Sequence, residues 1–115
     1  MGAAELIAKF TIAPNASLEE AAQKIEDNKY GTVLVVEGGR VVGTVTDGDM
    51  RKALLRHRLA VIPIHEVMNT NFLSVAPGDK TAAKALFESR FYLRLVPEVD
   101  SEGILRGVIR RDEIR

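Results

Sequence analysis

The sequence predicts a mixed α/β (α+β) protein built from two tandem β-α-β-β-α motifs that pack with pseudo-twofold symmetry. Three observations predict it: an internal repeat, helix-capping residues ahead of apolar helical faces, and runs of β-branched residues separated by turn sequences. We expect one domain over residues 1–115, with motif one at about 5–59, a linker at about 60–69 and motif two at about 70–115. Each motif alone is too small to cover both faces of its sheet, so the two should share a core.

The repeat is visible in five consecutive positions. The segment FTIAP at residues 10–14 matches LSVAP at residues 73–77, at an offset of 63. Two further landmarks recur in the same order: Tyr30 with Tyr92 at an offset of 62, and Gly43 with Gly107 at an offset of 64. Loop insertions and deletions of one residue produce such drift, and the pattern therefore indicates two copies of one supersecondary unit.

Motif one begins with a strand and a helix. Residues 10–13 are a short strand candidate that ends at Pro14. A capping box follows, because the Ser17 hydroxyl can accept a bond from a free backbone amide while the Glu20 side chain reaches back. Asn28 and Gly31 suit the end of this helix. Its apolar residues share one helical face: Leu18, Ala21, Ala22 and Ile25.

A hairpin and a second helix complete motif one. Residues 32–36 form a continuous apolar run typical of a strand that is buried on both faces. The sequence EGGR at 37–40 predicts a tight turn, and residues 41–46 return as the partner strand. A helix then begins at 47–49. Its expected apolar face is Met50, Ala53, Leu54 and, at its end, His57.

Motif two repeats this order. Asp79 is expected to cap a helix with the apolar residues Ala82, Ala83, Leu86 and Phe87. Residues 93–99 are predicted as a strand, 100–103 as a turn and 104–109 as the return strand, after which a last helix has barely begun. The linker should carry a short helical piece around Val67 and Met68, for which residues 4–8 look like the counterpart in motif one.

The composition narrows the classes of function. The 16 basic and 16 acidic residues balance, which gives no charge-based case for nucleic acid or a membrane as the main partner. No cysteine is present and no apolar run is long enough to span a bilayer, so we expect a cytoplasmic protein. His57 and His65 have no neighbours with metal-ligand spacing, so no metal is expected. No nucleophile–base set is apparent either.

The segment GTVTDGDMR at residues 43–51 resembles the signature that closes a cystathionine-β-synthase (CBS) motif: glycine, two strand residues, Thr or Ser, two residues, then Asp. With the repeat, the resemblance extends from about Leu6 to Arg115. It implies a CBS domain pair, or Bateman-type module: a regulatory domain and not an enzyme. Such pairs bind adenosyl ligands, so the implied ligands are AMP, ADP, ATP or S-adenosylmethionine, with no cofactor required. The sequence TDGD at residues 46–49, followed by Arg51 and Lys52, is similar to that of CBS pairs attached to sugar-phosphate nucleotidyltransferases and isomerases.

The residues of this signature have the chemistry that a nucleotide needs. The Asp49 carboxylate has two acceptor oxygens, enough for both ribose hydroxyls, and the Thr46 hydroxyl can meet ribose or phosphate. Gly48 lets the backbone turn without blocking a cleft. The helix that begins here presents free amides to an anion, and Arg51 in its first turn adds charge. The alternative is a well-capped strand-to-helix turn.

The resemblance places further ligand contacts at Tyr30, Gly31 and Thr32, before the second strand, and at Phe10 and Thr11, in the first strand. Tyr30 can stack on a base or form an aromatic lid on the core.

In some CBS pairs a basic residue of the partner motif reaches the phosphate, and the corresponding residue here is Arg94. The alternative for Arg94 is an exposed or ion-paired arginine.

The second signature departs from the pattern. Counting from Gly107, Arg110 takes the place of the Thr and Glu113 the place of the Asp; with one residue deleted, Asp112 takes the acidic place. We therefore expect one working site, on motif one, and a degenerate second one. The competing interpretation is a ligand-free interaction module that forms a homodimer through the helix faces Met50-Ala53-Leu54 and Ala82-Ala83-Leu86.

Overall fold

The computed structural model describes residues 3–57 and 61–114. In chain order the elements are α1 (Ala3–Ala8), β1 (Thr11–Ile12), α2 (Leu18–Asn28), β2 (Thr32–Glu37), β3 (Arg40–Thr46), α3 (Asp47–His57), a 3-10 turn (Ile64–Glu66), α4 (Lys80–Ser89), β4 (Leu95–Val99), β5 (Leu105–Arg110) and a second 3-10 turn (Arg111–Glu113). This is the predicted mixed α/β architecture: motif one has the order β-α-β-β-α, and motif two repeats the helix and the hairpin and ends in a 3-10 turn. The linker residues 58–60, Arg115 and the side chain of His57 lie outside the described residues.

The two motifs form separate sheets of unequal completeness. In motif one, β1 runs parallel to β2, and β2 pairs antiparallel with β3. In motif two, β4 and β5 form the corresponding antiparallel hairpin. A single parallel bridge from Val75 to Glu98 takes the place of the first strand. The two motifs therefore share the hairpin. The first strand of motif one has only a single bridge as its counterpart in motif two.

The strand register aligns the two motifs residue by residue. Each hairpin carries the same irregularity, between Val35 and Val36 in β2 and between Glu98 and Val99 in β4, at an offset of 63. Within this register Tyr30 corresponds to Leu93. The pairing of Tyr30 with Tyr92 from sequence is therefore wrong by one residue. Both tyrosines precede a strand, but the loop between helix and strand differs in the two motifs. Two residues of the same type therefore do not occupy the same position in the repeat.

Local signals set the helix starts. Ser17 and Glu20 form the predicted capping box of α2, and the Asp79 carboxylate accepts a bond from the Ala82 amide at the start of α4. Two boundaries differ from prediction. The strand expected from residue 93 begins at Leu95, because Leu93 donates its amide to Arg90 in a turn. The linker turn lies at Ile64–Glu66, slightly before the expected Val67 and Met68.

The core has one apolar cluster in each motif and a third between them. The clusters within the motifs centre on Ile25, Val33 and Val45, and on Val96 and Ile109. In the third, Phe10 and Leu34 of motif one pack against Leu95 and Val108 of motif two, all four buried. A shared core is what a single domain over residues 1–115 requires; the domain bounds stay a prediction.

The predicted dimer faces are largely occupied within the chain. Ala53 and Ala83 are buried in their own motifs, and Met50, Ala82 and Leu86 pack beside them. Leu54 alone among the predicted residues is exposed. Across the described ranges, no helix combines the length and apolar character needed to cross a membrane.

Candidate functional site

Thr46 and Asp49 are joined by reciprocal hydrogen bonds at the start of α3. The Thr46 amide and hydroxyl both donate to Asp49 Oδ2, at 3.0 Å each, and the Asp49 amide donates to the Thr46 hydroxyl at 3.2 Å. This is the bonding pattern of a capping box. The signature thus ends β3 and begins α3, as its structural interpretation requires. Within the described residues Asp49 Oδ1 takes part in no hydrogen bond, so one of the two expected acceptor atoms is committed and one remains.

A cleft of about 400 Å³ opens beside this capping box. Its lining comes from both motifs: the signature and the loop before β2 on one side, and the loop before β4 on the other. The lining residues are Tyr30, Gly31, Thr32, Thr46, Asp47, Gly48, Asp49, Asn69, Tyr92 and Arg94. Seven of the ten residues predicted to bind ligand therefore lie around one cleft.

A second cavity of about 300 Å³ adjoins the cleft and shares Thr32, Thr46, Asn69 and Tyr92 with it. Its remaining lining is mostly apolar and comes from the linker and the second motif as well as from β2 and β3: Leu34, Thr44, Asn71, Phe72, Leu73, Arg90, Leu93, Leu95 and Pro97. Together the two cavities form a space with a polar end at Asp49 and Arg94 and an apolar end at Phe72 and Leu95.

Three predicted site residues lie elsewhere. The Phe10 side chain is only 2% exposed and packs in the cluster between the motifs. Thr11 lines a separate surface groove together with Ile12 and Val36. Arg51 is exposed on α3 and lines none of these spaces, since the helix turns it away from the cleft. The geometry does not support the assignments of Phe10 and Thr11, which came from the resemblance, or that of Arg51, which came from its charge.

Tyr30 connects the cleft to the second motif. Its ring packs edge-to-face on Phe10, with centroids 5.6 Å apart, and its hydroxyl donates to the Asp112 carboxylate at 2.7 Å. The Arg94 and Arg110 guanidinium carbons lie 5.6 and 5.9 Å from the ring centroid. The hydrogen bond to Asp112, together with burial, raises the pKa of Tyr30 above its usual value. The phenol is therefore a donor throughout the neutral pH range, and the predicted lid role is present.

The second signature is altered as its sequence predicts. Arg110 and Glu113, at the positions of Thr46 and Asp49, form an ion pair through Arg110 Nε and Glu113 Oε1. Burial lowers the pKa of Arg110, but the hydrogen bond and charge of Glu113 outweigh this effect and raise it. With its carboxylate engaged by an arginine, this motif lacks the hydroxyl–carboxylate pair of motif one. Whether it binds a ligand of its own stays a prediction.

Several lining residues were missed from sequence. Asn69 reaches the cleft because its backbone exchanges two hydrogen bonds with Thr44 of β3, at 2.8 and 3.0 Å. Leu73 is the repeat counterpart of Phe10, so the repeat contained a signal for it. Tyr92 had a signal in its pairing with Tyr30, which was used only to establish the repeat, and Arg90 carried none. In the described ranges no cluster of three or more His, Cys, Asp or Glu is arranged to hold a metal ion.

Among the proteins that the chain resembles in sequence are a small CBS protein and a much longer enzyme. It is 28% identical over 100 residues to a CBS domain-containing protein, YhcV, from Bacillus subtilis, with 86% of this chain and 71% of that protein covered. It is 29% identical over 105 residues to L-aspartate semialdehyde sulfurtransferase from Methanosarcina acetivorans. There the match covers 90% of this chain but only 21% of the enzyme. The chain thus corresponds to about a fifth of that enzyme.

Solved structures agree with the fold over nearly the whole chain. The CBS domain pair of protein MJ0100, in complex with 5′-methylthioadenosine and S-adenosyl-L-methionine, superposes with a TM-score of 0.73 and 25% identity, covering 91% of this chain and 83% of that one. A CBS domain protein from Pyrobaculum aerophilum, complexed with AMP, gives 0.73 and 22%, covering 90% and 80%. Residues 4–56 match the family described as CBS domain. The family match over residues 4–56 and the pair fold over nearly the whole chain show that the first motif is a CBS domain and that the chain has the architecture of a CBS domain pair.

Proposed function

We propose that this chain is a ligand-sensing regulatory module that binds an adenine nucleotide or related adenosyl ligand in the cleft between its motifs. The observation that carries the proposal is the cleft itself. The cleft has polar walls and opens beside a cavity with mostly apolar walls. Residues of both motifs line the two spaces. An adenosyl ligand has the matching shape: a flat apolar base joined to a polar ribose and its substituent. The complex of protein MJ0100 with two adenosyl compounds supports this ligand class.

The polar end suits a ribose and an anionic group. Asp49 Oδ1 has its lone pairs available for a ribose hydroxyl, while Oδ2 keeps the capping box closed. Arg94 lines the same space from motif two and, among the described residues, donates no hydrogen bond. A phosphate beside Arg94 would replace the weak contact of Arg94 with the Tyr30 ring by charge-assisted hydrogen bonds.

Regulation follows from contacts that span the motifs. A ligand shifts a conformational equilibrium only by the difference in its affinity for the two states. A ligand held by Asp49 of motif one and Arg94 of motif two would favour one relative arrangement of the motifs. We infer that this change is transmitted to an attached or partner protein. The match to part of a sulfurtransferase supports such an attachment, whereas none of these relatives points to a sugar-phosphate enzyme. That this chain is not itself an enzyme stays a prediction.

The first test is a panel of thermal unfolding curves with AMP, ADP, ATP, S-adenosylmethionine, 5′-methylthioadenosine and GTP. A ligand at 100 times its dissociation constant adds about 2.7 kcal/mol, or roughly 10 °C for a chain of this length. We expect a shift of this order with one adenosyl ligand and none with GTP. A panel that shifts nothing would contradict the proposal.

Two arginine variants locate the bound ligand. Arg94→Met should weaken a phosphate-bearing ligand by roughly tenfold, as expected for a lost charge-assisted bond. Arg51→Met is the matched control, because Arg51 is exposed outside the cleft. Binding lost equally in both variants would place the ligand elsewhere. Asp49→Ala is a poorer probe, since it also removes a helix cap worth about 1 kcal/mol.

A second candidate is a homodimeric interaction module. Leu54 and Leu55 on α3 are 46% and 74% exposed, and Val61 beyond it is 71% exposed. Apolar side chains grouped in this way favour a covered surface. Light scattering on the ligand-free chain tests it, and a dimer that Leu55→Asp dissociates would support it. A dimer with a flat ligand panel would favour this candidate over the sensor.

A further inference from the structure

The Arg111 side chain grips the loop that motif two contributes to the cleft. Its Nε donates to the Leu93 carbonyl at 2.7 Å, and one terminal nitrogen donates to the Phe87 and Arg90 carbonyls at 2.8 and 2.6 Å. The Arg111 amide donates to the Arg94 carbonyl at 2.8 Å. One residue thus holds carbonyls along the whole path from the last turn of α4 to the start of β4.

These contacts are well suited to a guanidinium. Phe87 and Arg90 present carbonyls at the C-terminus of α4, where the helix leaves acceptors unpaired and where the helix dipole favours a cation. The guanidinium carbon also lies 5.1 Å from the Phe87 ring centroid. The planar fork of Arg bonds to three carbonyls from two nitrogens held in a fixed geometry, which the single ammonium of Lys does not reproduce.

The loop held in this way carries cleft residues. Residues 90–94 include Tyr92 and Arg94, which line the 400 Å³ cleft, and Arg90 and Leu93, which line the adjoining cavity. Arg111 itself lines neither space and touches the cleft only through this loop. In motif one the corresponding residue is Asp47, whose amide donates to the Gly31 carbonyl at 3.1 Å but whose side chain holds no loop carbonyl.

We propose that Arg111 is a positioning residue for the ligand site of motif one: it fixes the 90–94 loop so that Arg94 and Tyr92 face the cleft. The inference rests on the proposed function.

The test is a double-mutant cycle on AMP affinity, measured by calorimetric titration of the full chain. Arg111→Met keeps an apolar stem against Phe87 and removes every side-chain donor. We expect it to weaken AMP roughly tenfold, the size of a coupling within one hydrogen-bonded network. In a chain that already carries Arg94→Met, the same change should reduce AMP affinity little further, because the guanidinium that Arg111 positions is no longer present. A residue that only stabilised the fold would weaken both backgrounds equally, and that result would overturn the inference.

Arg106→Met is the control for Arg111→Met. Arg106→Met also removes an arginine from motif two, at an exposed hairpin where Arg106 pairs with Asp100 at 2.8 Å, and should leave AMP affinity unchanged. If Arg111→Met does not fold, Arg111→Lys, which keeps the charge but not the fork, replaces it in the cycle. Wild-type binding that is unaltered in the Arg111 variant overturns the positioning role alone. A wild-type chain that binds no adenosyl ligand overturns the proposed function and the inference together.

Discussion

The loops that precede β2 and β4 occupy equivalent places in the two motifs and are built differently. The first spans residues 29–31, and the second spans residues 90–94, because α4 ends two residues earlier in the repeat than α2 does. The short loop reverses direction with two residues at positive φ, Lys29 at 70° and Gly31 at 66°. In the long loop no described residue has a positive φ.

Each loop is held by a different side chain from a different element. In motif one the buried amide of Asn28, at the end of α2, donates to the Lys9 and Thr32 carbonyls and accepts from the Tyr30 amide. In motif two the guanidinium of Arg111, beyond β5, holds the loop carbonyls. The repeated hairpins therefore place the two loops at equivalent positions in the two motifs. The path of each loop depends on the polar side chain that bonds to it, Asn28 in motif one and Arg111 in motif two. The longer loop is the one that reaches across to the other motif's cleft.

Removing the Asn28 amide should have the largest effect. Asn28→Ala leaves two carbonyls and one amide without partners in a site where Asn28 is 7% exposed, so we expect a loss of about 3 kcal/mol in the free energy of unfolding. Denaturant unfolding measures it. Asn15→Ala, in an exposed loop, is the matched control and should change stability by less than about 0.5 kcal/mol. Equal losses in the two variants would mean that the short loop needs no brace.

The positive φ of Gly31 gives the next effect. Gly31→Ala forces an L side chain into the left-handed region, and its Cβ would lie 3.0 Å from Asp47 Oδ2. We expect a loss of about 1.5 kcal/mol. Gly78→Ala, at φ 78° with nothing within 4 Å, isolates the conformational part and should cost about 1 kcal/mol. An unchanged stability in Gly31→Ala would show that the short loop can adopt the path of the long one.

The bond between Tyr30 and Asp112 gives the smallest effect. Tyr30→Phe keeps the ring on Phe10 and removes the one hydrogen bond that, among the described residues, ties the short loop to motif two, so stability should fall by about 1 kcal/mol. Tyr92→Phe is the control, because Tyr92 is 66% exposed and its hydroxyl bonds to no described residue. Should the two variants unfold at the same denaturant concentration, the bond contributes nothing to holding the motifs together.

Much of the fold could be predicted because its signals are local. The Ser17–Glu20 capping box, the Asp79 cap and the glycines of the first hairpin act within a few residues, so their patterns specify helix starts and turns directly. The repeat then supplied the architecture. The site was predicted in part for the same reason: Thr46, Gly48 and Asp49 are close in sequence, and the strand-to-helix turn brings them together.

The remaining features depend on contacts between distant segments. Phe10 was placed in the site, yet it packs against Leu34, Leu95 and Val108 because the two sheets meet there. Strand β4 begins two residues late because Leu93 lies in a turn: its amide bonds to the Arg90 carbonyl and its carbonyl accepts from Arg111, which follows β5 in the chain. Asn69 enters the cleft through its backbone pairing with Thr44. No periodicity or spacing in the sequence predicts these contacts. Each depends on which helix and strand surfaces are left to pack against one another once the local elements have formed.

The sequence by itself determined the repeated motif, its helix starts and turns, and the acid–hydroxyl pair at the start of α3, because neighbouring residues bond to one another wherever the chain folds. Only the tertiary structure decided which residues share the cleft. The hydrophobic packing of Phe10 and Leu34 on Leu95 and Val108 sets the distance between the motifs, and the reach of Arg111 sets the loop that crosses it.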